Sequence, residues 1–119
     1  MNNQRAFWRT LGAVLGFLGV AFGAFGAHGL TDPAAKAWMQ TGATYQLVHV
    51  LAALFATTLP RPANAAAGAF LLGTVLFSGS LYAMALGGPT KLGMITPLGG
   101  VGFLAGWVLL AVAARRQPA

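Results

Sequence analysis

Four stretches of the chain, Leu11 to Leu30, Trp38 to Leu59, Ala65 to Leu86 and Leu92 to Ala114, contain no Asp, Glu, Lys or Arg. Short segments holding proline, glycine or single charges separate them. Each reaches the ~20 residues that a helix needs to cross the hydrocarbon core of a bilayer. Lipid offers no partner to a backbone N–H or C=O, so a run of this kind must pair its own amides as a helix. Strands of a membrane barrel would be shorter and would alternate polar with apolar residues, and these runs do not. The expectation is an all-α fold: residues 1–119 form one integral membrane domain, a four-helix transmembrane bundle with spans at about 11–30, 38–59, 65–86 and 92–114.

Hydrophobic residues make up 57% of the 119 residues and charged ones 7%, where a soluble domain carries roughly a quarter. Seven Lys and Arg stand against one acid, Asp32, for a net charge of +6. A basic balance can mark a nucleic-acid surface, but here the cations fall singly between apolar runs and form no stripe, so no nucleic-acid partner is expected. Four spans place both termini on one side with the loop between the second and third helices. That side holds Arg5, Arg9, Arg61, Arg115 and Arg116, and the other holds Lys36, Lys91 and Asp32. The positive-inside rule then makes both termini cytoplasmic, with Phe7, Trp8 and Trp38 as expected interfacial anchors. The opening "NNQRAFWRT" also fits the start of a secretory signal peptide, with small residues near Ala24 and Ala27. Its apolar run exceeds the usual ~7–15 residues, and its removal would leave three spans, so the first segment is read as a span. "TDP" at 31–33 supplies an N-cap, Asp32, followed by Pro33 at a first helical position.

Glycines recur in the first segment at Gly12, Gly16, Gly19, Gly23 and Gly26, in steps of four and three. Small residues on one face let membrane helices approach closely, which is how they gain packing energy without a hydrophobic force between them. The seam is read as helix packing within the chain, against the second or fourth helix; self-association of subunits is the sharper alternative. Gly79, Ala83 and Gly87 in the third segment, and Gly102 and Gly106 in the fourth, repeat the pattern more weakly.

Polar residues are unevenly deep. The second helix carries Gln40, Thr41, Thr44, Tyr45, Gln46 and His49 in its outer half, and its inner half, "VLAALFA", is bare. Ser78, Ser80 and Tyr82 lie in the outer half of the third helix, Thr96 and Pro97 in that of the fourth, and His28 at the outer end of the first. Gly42, Tyr45, Gln46, His49 and Ala53 share one helical face, which must point into the bundle or a wet cavity. Pro97 cannot donate to the Gly93 carbonyl, so "TPLGGVG", residues 96–102, is expected to kink or unwind. His28, Tyr45, Gln46, His49, Ser78, Tyr82, Thr96 and Pro97 therefore make up a candidate polar pocket, with interhelical hydrogen bonding as the structural alternative.

The same residues exclude much chemistry. With no cysteine there are no disulfides, thiol nucleophiles or thiolate metal sites, and with one carboxylate there is no acid pair. His28 and His49 differ by about 10 Å or more in depth at 1.5 Å per residue, too far to ligate one haem iron. Met39, Met84 and Met94 near His28 raise Cu(I), but methionine is more often a gap-filler and no close Met/His motif appears. Ser78 and Ser80 lack a local base. No enzyme, metal or cofactor is expected.

"GAFGAHGL" ending the first span, "WMQTGATYQLVH" in the second, "FSGSLYAMAL" in the third and "ITPLGGVGFLAGW" in the fourth together resemble domain-of-unknown-function family 423, which includes the transmembrane protein 256 group. The resemblance covers nearly the whole chain. It implies a small multi-pass membrane protein, in bacteria one of the plasma membrane. Its motif positions are Gly23, Gly26, His28, Tyr45, Gln46, His49, Ser78, Tyr82, Pro97, Gly99 and Gly100, and it implies no catalytic or ligand role for them. Two functions stay open. One is an accessory, scaffolding or self-associating membrane component, partnered by lipid and by a second copy or a larger membrane complex. The other is a transporter or binder of a small solute or ion through an outward-facing pocket around His49.

Overall fold

A computed structural model describes residues 3–119. Four helices follow one another: α1 (Asn3–His28), α2 (Pro33–Thr58), α3 (Asn64–Ala85) and α4 (Thr96–Arg115), with a 3₁₀ turn, Thr90–Met94, before the last. No strand occurs among the described residues. Three segments, Asn3–His28, Asn64–Ala85 and Thr90–Arg115, are long and apolar enough to cross a membrane. The α2 helix matches them in length at 26 residues, about 39 Å at the helical rise, but its polar outer half keeps it below their hydropathy.

The helix limits depart from the apolar windows for local reasons. α1 starts at Asn3 instead of Leu11, because nothing before Leu11 breaks a helix and the early residues have partners. Trp8 packs on the core cluster of α2 and α3, and Arg9 donates from Nε to Thr57 Oγ1 (3.1 Å) and from Nη2 to the Thr57 carbonyl (3.2 Å). α2 starts at Pro33 instead of Trp38, since Asp32 Oδ2 accepts from the Ala35 N–H at 2.9 Å and its carbonyl accepts from Lys36. The α1 carbonyls at that end are covered by α2 side chains, Gln40 Nε2 on Gly23 (3.2 Å) and Lys36 Nζ on Ala27 (3.4 Å).

The expected kink after Thr96 is corrected. Pro97 sits in the first turn of α4, where a missing N–H costs nothing. The irregular backbone lies before it, in the 3₁₀ turn, and residues 96–102 are regular helix.

The helices pack in chain order. α2 and α3 form the middle, α1 lies against α2 and touches α3, and α4 lies against α3. α1 and α4 make at most marginal contact, so the arrangement is a four-helix layer folded on itself, open on its flanks, in place of a closed ring. An alanine-rich seam joins α2 to α3: Ala52, Ala53, Ala56, Ala63, Ala66 and Ala67 are buried with Val50, Phe70 and Leu71.

Glycines set the other two interfaces. A Cβ added at Gly12, Gly19 or Gly26 would lie within 3 Å of Leu54, Leu47 or Met39 of α2, and at Gly16 or Gly23 at 3.6 Å from Val50 or 3.3 Å from Ala43. The partner number falls as the glycine number rises, which is antiparallel register along α2. Between α3 and α4 the backbones themselves meet. A Cβ on Gly73 would stand 2.9 Å from the Gly99 carbonyl, one on Gly99 would meet the Gly73 carbonyl and the Phe77 backbone, and one on Gly102 would stand 3.1 Å from the Gly73 Cα. Gly106 admits the Phe70 ring. The weaker glycine pattern read from the third segment is corrected: Gly79 faces open space, and Gly87 lies beyond α3 with φ 101° in the turn. Gly73 takes their role.

Candidate functional site

The eight pocket residues do not meet in one place. Gln46, 2% exposed, ties three helices together: its Nε2 donates to the Leu15 carbonyl of α1 at 2.6 Å, and its Oε1 accepts from the Tyr82 hydroxyl of α3 at 2.5 Å. A carbonyl can only accept, so the amide orientation is fixed by its partners. Gly42, one turn earlier on α2, leaves room for the Tyr82 ring, which a Cβ there would meet at 2.7 Å. Its carbonyl accepts from Ser78 Oγ at 2.7 Å, and Phe22 of α1 stacks on Tyr82 with centroids 4.2 Å apart. Every polar atom in this knot bonds another helix, and the bonds run in different directions, which fixes the register of α1, α2 and α3 together.

His49, 5% exposed, faces the other way, toward α4. The Trp107 indole N–H donates to His49 Nε2 at 3.1 Å. An indole has only a donor, so Nε2 is the accepting nitrogen and the proton sits on Nδ1, which donates to the Tyr45 carbonyl at 2.7 Å. The ring is a neutral imidazole with both nitrogens engaged, and addition of a second proton would break the Trp107 bond. It lies flat on Phe103 at 3.7 Å and 8°, with Phe70 and Trp107 edge-to-face beyond it at 4.9 Å. Tyr45 and Pro97 line the same region, an open groove of about 560 Å³ between α2 and α4 whose walls are almost wholly apolar. Tyr45 itself is 47% exposed, so it does not share the buried environment of Gln46 and His49 despite its place on their helix face.

Thr96 belongs to a third contact. Ser80 Oγ donates to the Phe77 carbonyl at 2.9 Å, so the 2.5 Å contact between Ser80 and Thr96 has Thr96 as donor, joining α3 to the start of α4. His28 stands apart, exposed at the end of α1. Met39 is fully buried, Met84 is 7% exposed and Met94 is 78% exposed, so the three methionines do not share one environment. Among the described residues no group of three His, Cys, Asp or Glu side chains could hold a metal ion.

Three participants escaped the sequence reading: Trp107 and Phe103 as partners of His49, and Thr74, 2% exposed, whose Oγ1 is buried and bonds nothing among the described residues. Phe103 and Trp107 lie one turn apart after Gly99, a spacing that marks a shared α4 face, but nothing local says which residue that face meets. Thr74 sits in an apolar run with no polar neighbour to flag it.

The arrangement as a whole is a membrane-type interior in which small residues give contact and polar residues give register. No solved structure matches the chain. The model of the family described as "Protein of unknown function (DUF423)" matches residues 22–100, which hold Gln46, Ser78, Tyr82, His49 and the Gly73–Gly99 crossing. The chain is 46% identical over 118 residues to the Escherichia coli K12 "UPF0382 inner membrane protein YgdD", covering 92% of this chain and 90% of that one. It is 44% identical over 109 residues to a Haemophilus influenzae "UPF0382 membrane protein" (86% and 88% covered). It is 41% identical over 113 residues to the Bacillus subtilis "UPF0382 membrane protein YwdK" (87% and 92% covered). The helices, the membrane-type packing and these relatives lead to one statement: this chain is a small membrane protein and belongs to the DUF423 family.

Proposed function

We propose that the protein is a multi-pass component of the plasma membrane, with all four helices crossing and both termini cytoplasmic, and that it works by association. Its partners are lipid and a second copy or a larger membrane complex; it binds no nucleic acid and catalyses no reaction. The observation that carries this reading is the division of labour among the helices. Gln46, His49, Ser78 and Tyr82 of α2 and α3 are spent on each other, on neighbouring carbonyls and on Trp107, while only 17% of the α1 and α4 spans is buried against 61% of α3. Two flanking helices thus present apolar faces, Val14, Phe17 and Val20 on one and Val101, Leu104 and Val108 on the other. The charge pattern supports the orientation: five arginines lie at the end with the termini, and Asp32, Lys36 and Lys91 at the other. α2 can cross despite its polar residues because they bond to other helices, which is how such groups are tolerated in lipid.

The test is the mass of the tagged protein extracted from its own membrane in native lipid discs. The expected particle contains more protein than one 12.2 kDa chain; a single chain in lipid at every expression level sinks the reading. One observation favours a second reading, capture of a small solute. The groove beside His49 is large enough for a ligand, but its apolar walls favour a lipophilic molecule over an ion.

A further inference from the structure

A second cavity, about 290 Å³, lies between the α2–α3 connection and the end of α4. Arg61, Asn64, Arg116 and Gln117 line it at the end of the helices, and Leu109 and Val112 one to two turns deeper along α4. Leu109 to Arg116 covers about 10 Å of helix, so the cavity runs from cationic to apolar along the helix axis.

No acidic side chain answers its charge: Asp32, the only one in the sequence, is in the loop at the opposite end. Arg61 is held in place by backbone bonds: its Nη1 donates to the Arg116 carbonyl at 2.5 Å, its N–H donates to Gln117 Oε1, and its carbonyl accepts from Gln117 Nε2, both at 2.9 Å. The Arg116 guanidinium makes no hydrogen bond within the described residues. α3 begins in the same wall, and Ala63 gives its first turn no side-chain cap, so the partial positive charge of that terminus is unspent. Asn64 Oδ1 is buried and accepts nothing among the described residues; it calls for a donor.

We infer that this cavity binds the headgroup of an anionic phospholipid of the phosphatidylglycerol type. The phosphate meets Arg61, Arg116 and the first-turn N–H groups of α3, a glycerol hydroxyl donates to Asn64 Oδ1, and an acyl chain lies along Leu109 and Val112. The inference rests on the proposed spanning orientation, which puts this end at the bilayer boundary. Basic pockets between membrane helices on the cytoplasmic side hold lipid headgroups by this combination of charge and apolar wall. A free phosphate would satisfy the cations and leave the apolar wall of Leu109 and Val112 unmet.

The test uses the full chain in nanodiscs of phosphatidylcholine containing a minor fraction of phosphatidylglycerol, with retained lipids counted by native mass spectrometry. The wild type should retain phosphatidylglycerol above its share of the disc. Arg116→Gln should weaken retention about fivefold, the effect of one basic residue near the surface, without a change in thermal stability, since its side chain holds nothing else. Arg115→Gln removes the same charge outside the cavity and should change nothing. An equal loss in Arg115→Gln, or no preference in the wild type, overturns the inference, as does displacement of the lipid by millimolar inorganic phosphate. If the chain assembles into discs with its termini cytoplasmic and still retains no phosphatidylglycerol, only this inference fails. If it does not assemble that way, the spanning reading fails first.

Discussion

Replacing Gln46 with Leu removes one of the hydrogen bonds that tie α2 to α1 and one of those that tie it to α3, and the cost can be worked out group by group. Interhelical hydrogen bonds in membranes average about 0.6 kcal/mol and reach about 1.7. On the α1 side the loss is small, because the Leu15 carbonyl lies within a continuous helix and keeps its own backbone partner. On the α3 side the Tyr82 hydroxyl, on a side chain 8% exposed, loses the acceptor at 2.5 Å, and a buried hydroxyl left unpaired costs about 1–3 kcal/mol. Gln46→Leu should therefore destabilise by about 2 kcal/mol. Tyr82→Phe should cost about 1 kcal/mol, since it frees Oε1 but leaves the bond to Leu15 in place. The informative variant is the double one, in which neither partner is stranded. Its loss should fall short of the sum of the single losses by about 1 kcal/mol. Unfolding in bicelles by steric trapping gives each value. Additive losses within about 0.3 kcal/mol would refute the claim that these residues act as one knot.

Three further outcomes follow from the packing. Gly99→Leu drives a side chain into the α3 backbone at Gly73 and Phe77 and should cost at least about 2 kcal/mol, while Gly79→Leu, with nothing within 4 Å, should be neutral by the same unfolding measurement. Asp32→Ala removes the cap on Ala35 and should cost about 1 kcal/mol, seen as faster amide exchange in the first turn of α2 alone. His49→Phe keeps a ring over Phe103 but leaves the Trp107 indole without its acceptor. It should cost about 1–2 kcal/mol and leave the particle mass unchanged, whereas loss of cellular function with unchanged stability and mass would favour a ligand in the groove.

Much of the architecture was legible in the sequence because hydropathy is an average property. A run without charge announces a helix in lipid whatever it touches, so all four helices were found. Their ends were not, since Trp8, Arg9 and Lys36 extend helices by contacts to distant residues that an apolar window cannot register. Glycine spacing picks out five positions on α1, at each of which an added Cβ would meet an α2 side chain. It misread α3, where Gly79 and Gly87 fit a small-residue pattern and Gly73, isolated in the sequence, makes the contact. The candidate pocket divided for a related reason. Tyr45, Gln46 and His49 lie within one turn or so of each other, yet α2 is packed on both sides, so Gln46 turns to α1 and α3 and His49 to α4. Periodicity places residues on a face but does not tell how wide a neighbour that face meets. Pro97 shows the same limit: a proline breaks a helix only if the helix extends before it, and here the chain is still in the 3₁₀ turn.

The orientation underlies the rest of the account, and the absence of native cysteine makes it directly measurable. Single cysteines at exposed positions 31, 60, 90 and 119 can be probed in intact cells with a maleimide that does not cross membranes, and again after lysis. The account predicts labelling at 31 and 90 before lysis and at 60 and 119 only after it. Labelling of positions 31 and 60 from the same side would show that α2 does not cross and would contradict the four-span claim.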